Sequence, residues 1–190
     1  MSVDTKKLTY EEYLAMPEMK CRYEIIDGEL MMAASPIPIH QWIAANLFRA
    51  IDPFVRAGRL GILFFAPLDI LISRVPLRTR QPDLLFLSAA RSGITAGAQL
   101  RGLQLLQQAP DLVIEILSPT NARRDIDQKL ADYRSIGVRE CWIVSPEALT
   151  VEVVRLSAEE FQTLDIFGTG MTIRSEVLDG LALAVAEVFA

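Results

Sequence analysis

Two carboxylates in this chain sit among residues that do not suit a carboxylate. Glu115 lies between Ile114 and Ile116 in the run Asp111–Leu117 (DLVIEIL). A nearly continuous apolar run of this length is the pattern of a central buried strand. Alternation places Glu115 on the face shared with Val113 and Leu117, opposite Ile114 and Ile116. A buried ionised glutamate is very costly without a partner, so it requires a cation, a donor network or a metal. Asp83 follows Pro82 and opens the apolar run Leu84-Leu85-Phe86-Leu87. If the two strands are neighbours, both acids can converge on one hard cation. Mg²⁺, which asks for oxygen ligands and keeps several waters, suits such a pair. Each acid also fits a plainer role, Asp83 as a strand-end cap and Glu115 in an internal salt bridge.

A cation follows in sequence. Lys129 lies in DIDQKLADY, on the helix directly after the Glu115 strand, with Asp125 four residues before it and Asp132 close by on the same face. An exposed Asp125–Lys129 ion pair is the plain alternative to a role in the site. Asp69, in PLDILI, is another acid in an apolar strand and follows the logic of Glu115. His40 begins a helix after the loop Ser35-Pro36-Ile37-Pro38, where it either faces a cleft or bonds a backbone group.

These residues need elements to hold them. Thr9 is a natural N-cap for a short helix over Tyr10–Met16, with Glu11 and Glu12 in its first turn and Pro17 ending it. Asp27-Gly28 is a strong hairpin turn between RYEII and ELMMA. Apolar residues at 43, 44, 47, 48 and 51 give His40–Val55 a core-facing helical stripe. Strand-like runs follow at Gly61–Phe65, Leu68–Ile72 and Leu84–Leu87, and residues 88–108 carry no clear periodicity. Ser118-Pro119-Thr120-Asn121 ends the Glu115 strand, and a helix over Arg124–Ile136 closes on Gly137 as C′ residue. Glu140–Val144 and Thr150–Leu156 read as further strands, and the tail adds a short strand pair. Strands interleaved with helices, several of them fully apolar, predict an α/β fold with a central mixed β-sheet flanked by helices, in a single domain over residues 1–190.

Composition excludes several classes. With 190 residues and 51% hydrophobic content, the chain can bury a core without disulfides. Two cysteines and one histidine cannot build a zinc site or a multi-histidine centre, so any metal must be held mainly by carboxylates. The longest apolar stretch, Leu60–Ile72, is interrupted by Pro67 and Asp69 and is too short to span a bilayer. The first residues lack the apolar core of a signal peptide, which predicts a cytoplasmic protein with no membrane partner. The net charge of −5 hides an asymmetry: residues 74–139 hold 10 basic against 6 acidic side chains, and residues 140–190 hold 2 against 9. A polyanion responds to the local field, so the middle segment is the one to meet it.

The order of these motifs resembles the Uma2 family of restriction-endonuclease-like proteins, within the PD-(D/E)xK nuclease superfamily. The resemblance runs through YEIIDGEL, the proline loop before His40, Pro82-Asp83, VIEILSPT, Asp125–Lys129–Tyr133, GVRECWIV and the terminal LDGLALAVAEVF. It implies a restriction-endonuclease-like core, Mg²⁺ or Mn²⁺, and hydrolysis of phosphodiester bonds in DNA. On that footing Asp83 and Glu115, with the carbonyl of Ile116, hold the metal, and Lys129 positions water or stabilises charge in the transition state. Superfamily members often bring an extra acid from the N-terminal region, which makes Glu24 and Glu29 candidates beside His40, Asp69 and Asp125. Arg74, Arg78, Arg80, Arg123 and Arg124 are the expected phosphate contacts, and a homodimer is compatible with the resemblance. Two departures stand out. The superfamily lysine usually stands two residues after the second acid, and that position is Leu117; Lys129 is the substitute. Cys141 stands where the family pattern usually has an aromatic residue. A non-catalytic interaction protein of the same fold and a hydrolase of a smaller phosphate ester are the competing functions.

Overall fold

A computed structural model describes residues 7–17, 19, 21–33, 35–118 and 123–190, without the side chains of Arg123 and Arg124. In chain order the elements are α1 (Tyr10–Leu14), β1 (Tyr23–Ile26), β2 (Glu29–Met32), α2 (Pro38–Ala57), β3 (Gly61–Phe65), β4 (Ile70–Arg74), β5 (Leu77–Arg80) and β6 (Leu84–Ser88). Then come α3 (Ala89–Ser92), a 3₁₀ turn (Gly97–Leu100), β7 (Leu112–Ile116), α4 (Arg123–Ile136), β8 (Glu140–Ser145), β9 (Thr150–Leu156), β10 (Phe161–Phe167), β11 (Thr172–Ile173), β12 (Leu183–Ala184) and α5 (Val185–Phe189).

Six strands form one sheet in the order β10-β9-β8-β7-β6-β3, in which β7 and β8 are parallel and the other pairs antiparallel. The expected mixed sheet is therefore present, and its helices cover both faces. Ile43, Leu47, Ile51 and Val55 of α2 pack on one face against Leu84, Phe86, Ile114, Trp142 and Val144, together with Val185 and Val188 of α5. Ile126, Leu130 and Tyr133 of α4 pack on the other against Leu85, Val113, Cys141 and Ile143. The strand-period switch between these two sets is what alternation requires of strands buried on both sides.

A second sheet, β2-β1-β5-β4, was only half legible in sequence. Its hairpin forms as expected, with Asp27 at φ 52° and Gly28 at φ 83°, the left-handed pair of a type I′ turn. Its strand β5, however, reads LRTR between Pro76 and Pro82, and arginines bracketed by prolines carry no strand signature. The strand exists because its two faces meet different partners. Leu77 and Thr79 are buried on the α1 side, while Arg78 and Arg80 reach acids of α4. Residues 88–108 contain α3 and the 3₁₀ turn, and the tail carries α5 besides its strands. The expected helix closure holds: Gly137 has φ 88°, and Val138 N donates to Tyr133 O at 3.1 Å. The proposed stop at Pro119-Thr120-Asn121 lies outside the described residues.

Candidate active site

Register brings the two acids together. Strands β6 and β7 are antiparallel with Leu84 opposite Ile114 and Leu85 opposite Val113, so Asp83 and Glu115 are the next residues outward on the same ladder. Both are buried, at 4% exposure each. Asp83 Oδ2 accepts from Ile116 N at 2.7 Å and pairs with His40 Nε2 at 3.1 Å; Oδ1 accepts from Arg22 Nη1 at 2.6 Å. Glu115 Oε2 accepts from Lys129 Nζ at 2.7 Å, and Oε1 accepts from the Tyr133 hydroxyl. Lys129 and Tyr133 are one helical turn apart on α4, so a single helix face supplies both donors.

The site extends away from Glu115 as a chain of alternating charges. Lys129 Nζ is 3.7 Å from Glu24 Oε1, and Glu24 Oε2 accepts from Arg80 Nη1 at 2.6 Å. Arg80 also pairs with Asp132 at 2.6 Å, and Arg78 bridges Asp132 at 2.8 Å and Asp27 at 2.7 Å. The electrostatics follow from these contacts. Burial alone would raise Asp83, but the bond from His40 and the charge of Arg22 outweigh it and hold Asp83 below the usual carboxylate range. Glu115 goes the other way: burial and the neighbouring charges of Asp83 and Glu24 raise it, with Lys129 only partly opposing. Burial would also lower Lys129, yet Glu115 and Glu24 keep it above the ordinary lysine value. Glu24 is held low against its burial by Lys129 and Arg80. Two adjacent carboxylates driven apart in acidity, beside a retained ammonium, are an arrangement suited to proton and charge chemistry.

The structure gathers some expected residues and separates others. Asp83, Glu115, Lys129, His40 and Glu24 share one cluster. Asp69 belongs to a separate buried group, with its carboxylate accepting from Tyr13 Oη at 2.7 Å and Gln81 Nε2 at 3.2 Å. Burial raises its pKa above the usual aspartate value despite those donors. Glu29 stands exposed on the edge strand β2, and Asp125 is exposed on α4 while Lys129 turns inward to Glu115. Arg78 and Arg80, expected as phosphate contacts, are both held by acids of the protein itself, and Arg80 is 5% exposed. Arg74 is exposed, bonded to Gln107 and stacked over Tyr10 at 4.5 Å. Arg123 opens α4, and the side chains of Arg123 and Arg124 lie outside the described residues. Sequence reasoning missed Arg22, which no pattern marks, and left Tyr133 without a role, although its spacing from Lys129 pointed to the same face.

Among the described residues no group of three or more acidic, histidine or cysteine side chains is placed to hold one metal ion. Two carboxylates remain, a hard-oxygen donor set whose chemistry fits Mg²⁺ or Mn²⁺.

The family model described as "Putative restriction endonuclease", Uma2, matches residues 10–186, which includes every element of this cluster. The chain belongs to the Uma2 family. Among solved structures it is similar to one titled as a putative nuclease of the DUF820 group from Anabaena variabilis ATCC 29413. That likeness has a TM-score of 0.77 at 21% identity and covers 96% of this chain and 97% of the other. It supports the fold that this Uma2 chain adopts. No curated protein matches the chain. Among the described residues no helix is long and apolar enough to cross a membrane.

Proposed function

We propose that this Uma2 protein is a metal-dependent endodeoxyribonuclease of the PD-(D/E)xK type. The observation that carries the reading is the Lys129–Glu115 contact at 2.7 Å, one ladder step from Asp83. It supplies from helix α4 the cation that Leu117 cannot. Asp83, Glu115 and the carbonyl of Ile116 would hold Mg²⁺ or Mn²⁺. Such an ion would supply Lewis acidity toward a phosphate oxygen and lower the pKa of bound water. The rest is work for the chain's own side chains. His40 and Ile116 N fix the orientation of the Asp83 carboxylate, as outer partners do for metal-binding acids. Tyr133 fixes Glu115 in the same way. Lys129 places a positive charge beside the acids, where negative charge builds up on a pentacovalent phosphorus. DNA is the proposed substrate and the cytoplasm the proposed compartment.

One observation favours a second reading. Both oxygens of Asp83 and of Glu115 already accept from groups of the chain, as a purely structural ion-pair network would require. Titration with Mn²⁺ and cleavage of supercoiled plasmid separate the two. The nuclease reading expects Mn²⁺ binding and nicking by the wild type, with both lost in Asp83→Asn and Glu115→Gln at retained secondary structure. Equal Mn²⁺ affinity in wild type and both variants would establish the non-catalytic network instead. Hydrolysis of mononucleotide esters without plasmid nicking would assign a smaller phosphate ester as substrate.

A further inference from the structure

The three donors on Asp83 are not equivalent. Oδ2 is fixed by Ile116 N, part of the sheet, and by His40 on α2. Oδ1 receives Arg22 Nη1 at 2.6 Å, and the other terminal nitrogen of Arg22 donates to the carbonyl of Gln81. Arg22 precedes β1 and lies outside any helix or strand. Its side chain is 21% exposed, against 4% for Asp83, so this cation approaches the acid from the solvent side. Lys129 differs in its element and its partners. It sits within α4, contacts two acids and is 15% exposed. Lys129 is thus held on a helix by two acids, whereas Arg22, similarly half-buried, rests on one carboxylate oxygen and one carbonyl.

We propose that Arg22 is a displaceable counter-ion on Asp83, which neutralises this carboxylate until a divalent cation takes Oδ1 and so sets how tightly the site binds metal. The inference rests on the metal reading of Asp83 and Glu115. A hard cation and a guanidinium 2.6 Å from Oδ1 compete for the same charge. Removing Arg22 therefore strengthens metal binding, which is the opposite of what a supporting ligand residue does. His40 provides the contrast, because it orients the same carboxylate from the other oxygen.

Calorimetric titration with Mn²⁺ tests this on the intact chain. Arg22→Gln should bind Mn²⁺ about tenfold more tightly than wild type, since loss of one partly exposed ion pair is of that order. Arg22→Lys keeps the charge and should stay near wild type, and the gain should vanish when Arg22→Gln is combined with Asp83→Asn. Unchanged or weaker binding by a folded Arg22→Gln overturns the proposal. A second measurement needs no variant: the Arg22 Nε–H resonance of the wild type should shift on titration with Mg²⁺, and a resonance unmoved at saturation also overturns it. If Arg22→Gln gains nothing while Asp83→Asn loses Mn²⁺, the exchange fails and the metal reading stands. If neither wild type nor Arg22→Gln binds Mn²⁺, both fall.

Discussion

Lys129 is where a structural role and the proposed catalytic role are hardest to separate, because both would fall on one ammonium. It is the charge nearest Glu115, and without it Glu115 and Glu24 share a buried region with less compensation. Removing one partner of a buried pair costs about 3–5 kcal/mol of stability. Loss of one transition-state stabiliser instead costs roughly 10²–10³ in rate. Lys129→Met, which keeps most of the side-chain volume, should show both a lower melting temperature and a nicking rate per folded molecule reduced by that factor. Mn²⁺ affinity should hold or tighten, since lysine is not a ligand. A rate that survives while stability falls would reduce Lys129 to a structural counter-ion. The pH dependence has a defined sign. The folded-state pKa of Lys129 lies above the ordinary 10.5, so its stabilisation is complete below that value. The stability gap between wild type and Lys129→Met should therefore be level through neutral pH and narrow only in strong alkali.

At the scale of elements, the site depends on how two sheets are joined. Glu24 comes from β1, Arg80 from β5 and Lys129 from α4, so the small sheet must sit correctly before the acids can be compensated. The turn at Gly28 contributes to that seating. Gly28 N donates to Leu77 O and Gly28 O accepts from Leu8 N, both at 2.8 Å, tying the hairpin to β5 and to the segment before α1. A Cβ at Gly28 would meet Lys7 Cβ at 2.8 Å, at a φ of 83° that already disfavours side chains. Gly28→Ala should lose about 1–2 kcal/mol in urea unfolding, from the left-handed backbone cost. A change within 0.5 kcal/mol, roughly the scatter of surface substitutions, would show that the turn is dispensable. The same sheet shows what sequence could and could not reveal. The Asp27-Gly28 turn, the α2 stripe and the Glu115 strand each carry a local period or turn signal, and each forms as read. Strand β5 carries none, because its arginines are buried by acids distant in sequence rather than by apolar spacing. Arg22 fails to stand out for the same reason: a lone arginine ahead of a strand acquires its meaning only from Asp83, 61 positions later.

The whole molecule bears on how the proposed DNA substrate would be engaged. From sequence, the basic middle segment offered five arginines to a phosphate backbone. The fold withdraws two of them, because Arg78 and Arg80 are committed to Asp132, Asp27 and Glu24. Arg22, outside that set, lies against Asp83. Arg74 stays exposed, and of the expected contacts Arg123 and Arg124 have side chains outside the described residues, on a chain whose net charge is −5. Each phosphate neutralised on duplex DNA contributes about −0.9 to the slope of log affinity against log salt, so three contacts correspond to roughly −3. Fluorescence anisotropy with a labelled duplex, measured across a KCl series in the presence of Ca²⁺ to suppress cleavage, reads that slope directly. The expected value is shallow, near −3, and Arg74→Gln should reduce it by about one. A slope near −5 or steeper would mean that the internal ion pairs open on binding and that Arg78 and Arg80 turn to the phosphates after all. A flat response would remove DNA as the polyanion this surface meets and favour the non-catalytic interaction protein over the nuclease.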